Sequence, residues 1–103
     1  MAIVTVFRSR LRPGVEEAYG ALAEEMSRLA HAMSGFLEEK MFIAPDGERV
    51  TIARFADRAS HQSWATHPEH LVAQRRGREE FYSWFSITVA EEEYARDFHG
   101  ADG

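Results

Sequence analysis

The residues best equipped for chemistry crowd into one stretch, Trp64 to Phe85, of this 103-residue chain. Both tryptophans lie there, with two of the five histidines, Tyr82, and the densest arginine run, Arg75-Arg76-Gly77-Arg78. His67 and His70 stand three apart, a spacing that puts both on one side of a short helix. Two histidines can begin a metal site, but no aspartate or cysteine nearby in sequence completes one. A histidine also titrates near neutrality, which makes it a natural general base. Trp64 reads either as a large core aromatic or as a pocket wall offering its indole N–H. Tyr82 and Trp84, two apart, share one face of a regular strand, as core or interface anchors or as ligand contacts. The arginine run suits a helix C-terminus, with a solvated face and an anion site as its two readings. Arg8 and Arg54 are mid-strand cations that either pair with Glu38 or Glu39 across strands or enter a pocket.

The elements that must position these groups follow from hydrophobic periodicity. Residues 2–11 alternate as a strand, with Ile3, Thr5 and Phe7 on one face and Val4, Val6 and Arg8 on the other. Pro13-Gly14 breaks it. Val15, Ala18, Leu22, Met26, Leu29 and Met33 then recur at gaps of three and four, one apolar helical stripe that stops near Gly35. Phe36–Ile43 and Arg49–Ala56 read as two strands joined by the turn Ala44-Pro45-Asp46-Gly47-Glu48, an antiparallel hairpin. Asp57 is an N-cap for a short helix over 58–65. Pro68 opens a second helix running to about Arg76, with Gly77 as its stop. A last strand is predicted from about Phe81 through Tyr94, and His99–Gly103 reads as a loose tail after a single domain over 1–98.

The order β-α-β-β-α-β predicts an α+β, ferredoxin-like fold, with helices on one face of a four-stranded antiparallel sheet. The other face carries apolar residues, so two sheets are expected to pack against each other in a homodimer. Composition narrows the partners. At net charge −5 the chain lacks the basic balance of a nucleic-acid binder. No apolar run approaches the roughly 20 residues of a membrane span, and the N-terminal run reads as a strand rather than a signal peptide. The absence of cysteine removes thiolate chemistry and fits a reducing compartment, so a soluble, cytoplasmic protein is expected.

The element order, together with the block Trp64-x-x-His67-Pro68-Glu69-His70-x-x-Ala73-Gln74-x-x-Gly77-Arg78-x-x-Phe81-Tyr82-x-x-Phe85, resembles the antibiotic biosynthesis monooxygenase family of dimeric α+β barrels. The Pro13-Gly14-x-x-Glu17 opening and Gly35-Phe36 also match. The resemblance covers residues 2 to about 96 and implies a largely apolar pocket between sheet and helices in each subunit. Some members oxidise phenols or hydroquinones with molecular oxygen and no flavin or metal; a related branch binds and degrades haem. Without a cofactor, His67 or His70 would take the proton of a small aromatic ligand, with Trp64, Phe7, Tyr82, Arg54 and Gln74 as binding residues. The haem branch carries a first-strand asparagine, a tryptophan after the third strand and an axial histidine. Here those positions hold Phe7, Trp64 and Gln74, and glutamine is a poor iron ligand. Haem chemistry is therefore the second reading, and a non-catalytic binding dimer the third.

Overall fold

In the computed structural model, residues 1–101 are described and form one four-stranded sheet with helices on one side. The elements are β1 (Ile3–Leu11), α1 (Glu16–His31), β2 (Phe36–Ile43), β3 (Arg49–Phe55), α2 (Arg58–Ala65), α3 (Pro68–Arg76), a π-helical turn (Gly77–Phe81) and β4 (Tyr82–Glu91). Every strand pairing is antiparallel and the sheet order is β2-β3-β1-β4. The predicted tail over 99–103 falls partly on residues 102 and 103, which lie outside the described residues.

Local chemistry explains most boundaries. The Asp57 carboxylate accepts from the Ser60 N–H at 2.8 Å, and the Ser60 hydroxyl is 3.3 Å from the Asp57 N–H, a reciprocal capping box that starts α2. Asp57→Ala should cost about 1 kcal/mol, read as a lower denaturation midpoint at unchanged m-value. Pro68 occupies the first turn of α3, where its missing N–H costs nothing. At the β2–β3 turn, Glu48 N–H donates to the Asp46 carboxylate at 3.0 Å and Gly47 takes φ +91°.

The helical face of the sheet carries Ile3, Thr5, Phe7 and Ser9, and Ile3, Thr5 and Ser9 are buried there. Phe55, paired with Ile3, and Phe81 complete the small core. The inward stripe of α1 is broader than its apolar pattern predicts. Tyr19, Ala23 and Ala30 pack inward beside Leu22 and Met26, while Ala18 is exposed.

Three expectations are corrected. Helix α3 ends at Arg76 as expected, but Gly77 does not stop the winding: it is helical (φ −56°, ψ −50°) and the chain continues through a π turn. The last strand spans Tyr82–Glu91, not 81–94, although Glu92 N–H still donates to the Ala2 carbonyl at 2.8 Å. Tyr82 and Trp84 do not share a face. Arg10 pairs with Trp84 but the next residue, Leu11, pairs with Tyr82. Ser83 is thus an extra residue in β4, a β-bulge that turns Tyr82 to the helical side while Trp84 stays on the outer side.

The outer face is apolar at its centre, with Val4, Val6, Val50, Ile52 and Phe42 in register, and ionic at its edges. Arg8 grips Glu48 with two bonds of 2.7 and 3.0 Å, and its guanidinium lies 5.4 Å from the Trp84 ring. Arg54 grips Glu92 with two bonds of 2.8 Å and approaches Glu38 at 3.8 Å. That hydrogen-bonded pairing holds the Glu92 carboxyl below the ordinary carboxylate range.

Candidate functional site

The structure sorts the seven candidate residues into three groups. Trp64, His67, His70 and Gln74 meet where α2 turns into α3. Phe7 and Tyr82 meet on the helical face of the sheet. Arg54 stands alone on the outer face, its guanidinium occupied by Glu92.

The first group is built by the break at Pro68. The His70 ring stacks on the Trp64 indole, centroids 4.2 Å apart and planes 13° from parallel. Its Nδ1 is 3.0 Å from the Trp64 carbonyl. A carbonyl can only accept, so His70 Nδ1 carries a proton and Nε2 keeps a lone pair. Burial pulls the His70 pKa below the ordinary histidine value, which keeps the ring in this neutral, basic form at pH 7. His67 has the opposite arrangement. Its Nδ1 accepts from the Glu69 N–H at 3.2 Å as the N-cap of α3, so its proton sits on Nε2. Gln74 directs its amide inward, Nε2 to the Ala65 carbonyl at 3.4 Å, and so ties α3 to α2.

The depressed His70 pKa has a stability consequence. A group that is neutral in the fold and charged in the unfolded chain stabilises the fold above its unfolded pKa. Stability should therefore fall as pH drops below about 6.5 toward the lower folded value. His70→Phe should flatten that limb of a melting-temperature profile between pH 5 and 8. A wild-type slope that survives the substitution would assign the effect to another group.

The second group is aromatic. Phe7 lies 5.4 Å from Tyr82 and 5.6 Å from Phe85, and Tyr82 lies 5.5 Å from Tyr19. The Tyr82 hydroxyl donates to the Tyr19 hydroxyl at 3.1 Å. Burial pushes the Tyr82 phenol far above the ordinary tyrosine value, so it remains a neutral donor. Tyr19 escapes a sequence reading because its apolar neighbours define the stripe beside it; its position four after Val15 and three before Leu22 is the available signal. Along β4, Phe85, Ile87 and Val89 pair with Ser9, Phe7 and Thr5 and so share the helical face. Yet they are 39%, 55% and 50% exposed, so the helices leave this strand uncovered. The result is an apolar trough that ends at Tyr82, where an open cleft of about 300 Å³ is lined by Arg78, Tyr82, Ser83, Trp84 and Phe85. A second cleft, of about 360 Å³, lies by the β2–β3 turn and includes Arg10, Asp46 and Arg49. Neither cleft is lined by Trp64, His67, His70 or Gln74. Among the described residues no three His, Asp or Glu side chains gather as a metal set, and no helix is long and apolar enough to cross a membrane.

With fold and geometry in place, comparison with known proteins fixes the lineage. The sequence pattern of the family described as Antibiotic biosynthesis monooxygenase matches residues 2–76. The protein YqjZ of Bacillus subtilis (strain 168), itself uncharacterized, is 29% identical over 93 residues, covering 90% of this chain and 82% of that protein. Rv0793 from Mycobacterium tuberculosis superposes with a TM-score of 0.83 at 20% identity, over 94% of this chain and all of that one. SnoaB from Streptomyces nogalater, a cofactor-independent oxygenase, superposes with a TM-score of 0.76 at 14% identity, over 91% of this chain and 95% of its own. These superpositions show the α+β, ferredoxin-like fold that the element order predicts. This chain belongs to the antibiotic biosynthesis monooxygenase family.

Proposed function

We propose that the protein is a cofactor-independent monooxygenase of a small, electron-rich aromatic such as a phenol or hydroquinone. One observation carries this reading: an uncovered apolar trough along β4, floored by Phe85, Ile87 and Val89, that leads to a paired tyrosine hydroxyl. A flat aromatic fits such a surface, and its hydroxyl finds both a donor and an acceptor at the Tyr19–Tyr82 end. The fold shared with SnoaB, a cofactor-independent oxygenase, supports the same reading.

The chemistry asked of the protein is modest. Apolar walls strip water from the ligand, a base removes its phenolic proton, and the anion passes one electron to oxygen. The aryloxyl radical and superoxide then combine at a ring carbon bearing hydrogen, and the protonated hydroperoxide loses water to leave a quinone carbonyl. We assign removal of the proton to His70, whose Nε2 lone pair remains when Nδ1 bonds the Trp64 carbonyl; this requires the ligand to reach the α2–α3 turn, since His70 lines neither cleft. His67 is the weaker base, since its Nδ1 is committed to the α3 cap. Oxygen uptake with a panel of substituted hydroquinones tests the function. Turnover above the spontaneous rate, lost in Tyr82→Phe through a raised KM, is the expected result. No excess uptake with any member of the panel would refute it.

The same reading includes a homodimer in the cytoplasm. On the outer face Val4, Val6, Val50 and Ile52 are half-buried and Phe42 and Trp84 stay 49% and 41% exposed. Sedimentation at micromolar concentration should report two chains, and Val6→Arg should shift the protein to one. A wild-type monomer would contradict the dimer. Nothing in the cluster at Trp64 favours haem over this reading, because Gln74 already spends its amide on Ala65.

A further inference from the structure

Tyr82 owes its place to an unusual piece of backbone. Its N–H donates to the Gly77 carbonyl, closing the π turn. Its ring packs so closely on Gly77 that a Cβ there would lie 2.5 Å from the ring Cε2. Arg12, just past the end of β1, drives its guanidinium into the same turn. Nη1 donates to the Glu79 carbonyl at 2.7 Å, Nη2 to the Arg78 carbonyl at 2.9 Å and Nε to the Tyr82 carbonyl at 3.1 Å. The Arg12 backbone N–H takes the Phe81 carbonyl at 2.7 Å. Four carbonyls that a helix terminus would leave without partners are thus held by one residue. Immediately afterwards the bulge at Ser83 restores the outward register at Trp84.

π turns and bulges interrupt regular hydrogen bonding and recur where a side chain must be re-aimed. We propose that Arg12 and Gly77 are positioning residues: through the π turn they set the Tyr82 hydroxyl as the polar end of the apolar trough, and so make the site selective for aromatics bearing a hydroxyl. The proposal rests on the trough being the ligand site. Arginine suits the role because its planar fork reaches three carbonyls at once, which lysine, a single ammonium, does not. Glycine suits it because any side chain at 77 pushes the Tyr82 ring away. Without this clamp β4 would run with regular alternation, and Tyr82 would face outward beside Trp84.

Two readouts test it on wild type, Gly77→Ala, Arg12→Met and Arg12→Lys, with circular dichroism confirming a folded chain at each pH. The first is alkaline titration of the three tyrosines by ultraviolet absorbance, which needs no ligand. Wild type should keep one tyrosine un-ionised at about pH 11, a unit above the ordinary value. In all three variants Tyr82 should ionise at lower pH than in wild type. The second compares binding of 1-naphthol with that of 1-methylnaphthalene, a probe of similar size without the hydroxyl. Wild type should prefer 1-naphthol roughly fivefold to tenfold, the range of one added hydrogen bond. Tyr82→Phe and the clamp variants should bring that ratio close to one with little change for 1-methylnaphthalene. A late-titrating tyrosine that persists in Gly77→Ala and Arg12→Met overturns the proposal. So does an unchanged binding ratio in both. If the titration responds as expected and wild type binds neither probe, positioning by the clamp stands and the aromatic-ligand reading is what fails.

Discussion

Replacing His70 with glutamine should lower the turnover of a hydroquinone by about a hundredfold or more, the usual contribution of a positioned general base. The Trp64 carbonyl fixes the proton on His70 Nδ1, and the stacked indole fixes the plane of the ring. Nε2 is therefore an oriented lone pair that costs little to organise at the moment of proton transfer. Glutamine keeps a hydrogen-bonding group of similar reach but cannot take up a proton, so the comparison separates basicity from packing. The pH profile adds a second check. Activity requires the neutral ring, and burial lowers the His70 pKa, so the acid limb should fall below about 6.5 instead of on it. His67→Gln is the matched control. It removes the Nδ1 cap of α3 and should cost about 1 kcal/mol of stability while leaving turnover within a few fold. A His70→Gln enzyme within threefold of wild type in kcat would remove His70 from the reaction, and the search for a base would move to groups near Tyr82.

The contrast between these two histidines shows what a sequence can and cannot carry. Both lie in the same stretch of sequence as Trp64, and in the structure both rings meet its indole. Which ring nitrogen is free depends on carbonyl and N–H positions around the break at Pro68, and those follow from backbone geometry, not residue type. The fold was legible for a different reason. The strand and helix periods, the Pro45–Gly47 turn, the Asp57 cap and Pro68 are local signals that agree with one another. The face of Tyr82 was not legible, because alternation assumes a period of two and one extra residue at Ser83 inverts it. Gly77 shows the same limit. A glycine after an arginine-rich helical turn reads as a stop, but here it is a site of close approach by a ring five residues later. Arg54 reads either as a cross-strand partner of Glu38 or Glu39 or as a pocket cation; register puts it on the outer face, bonded to Glu92 and 3.8 Å from Glu38.

The largest expected effect on stability comes from Gly35→Ala. Gly35 joins α1 to β2 with φ +85°, a region that costs an L-residue roughly 1–2 kcal/mol. Space is the second cost. A Cβ at 35 would sit 2.4 Å from the Ser60 Cβ and 2.6 Å from its hydroxyl. Ser60 cannot swing aside, because its Cβ is fixed to the α2 backbone and its hydroxyl completes the capping box with Asp57. The start of α2 would have to move, which also strains the 2.7 Å bond from Ala56 N–H to the Gly35 carbonyl. Overpacking of this kind adds roughly 1–3 kcal/mol. Together these give roughly 2–5 kcal/mol, and a melting temperature lowered by about 8 °C or more in a chain of this size. Gly14→Ala separates the two costs. Its φ is +81° and nothing lies within 4 Å of its added Cβ, so it should show the backbone term alone. Gly20→Ala, inside α1 with open space around it, should stabilise by up to about 1 kcal/mol. If Gly35→Ala and Gly14→Ala melt at the same temperature, the close approach of α2 to Gly35 does not constrain this fold.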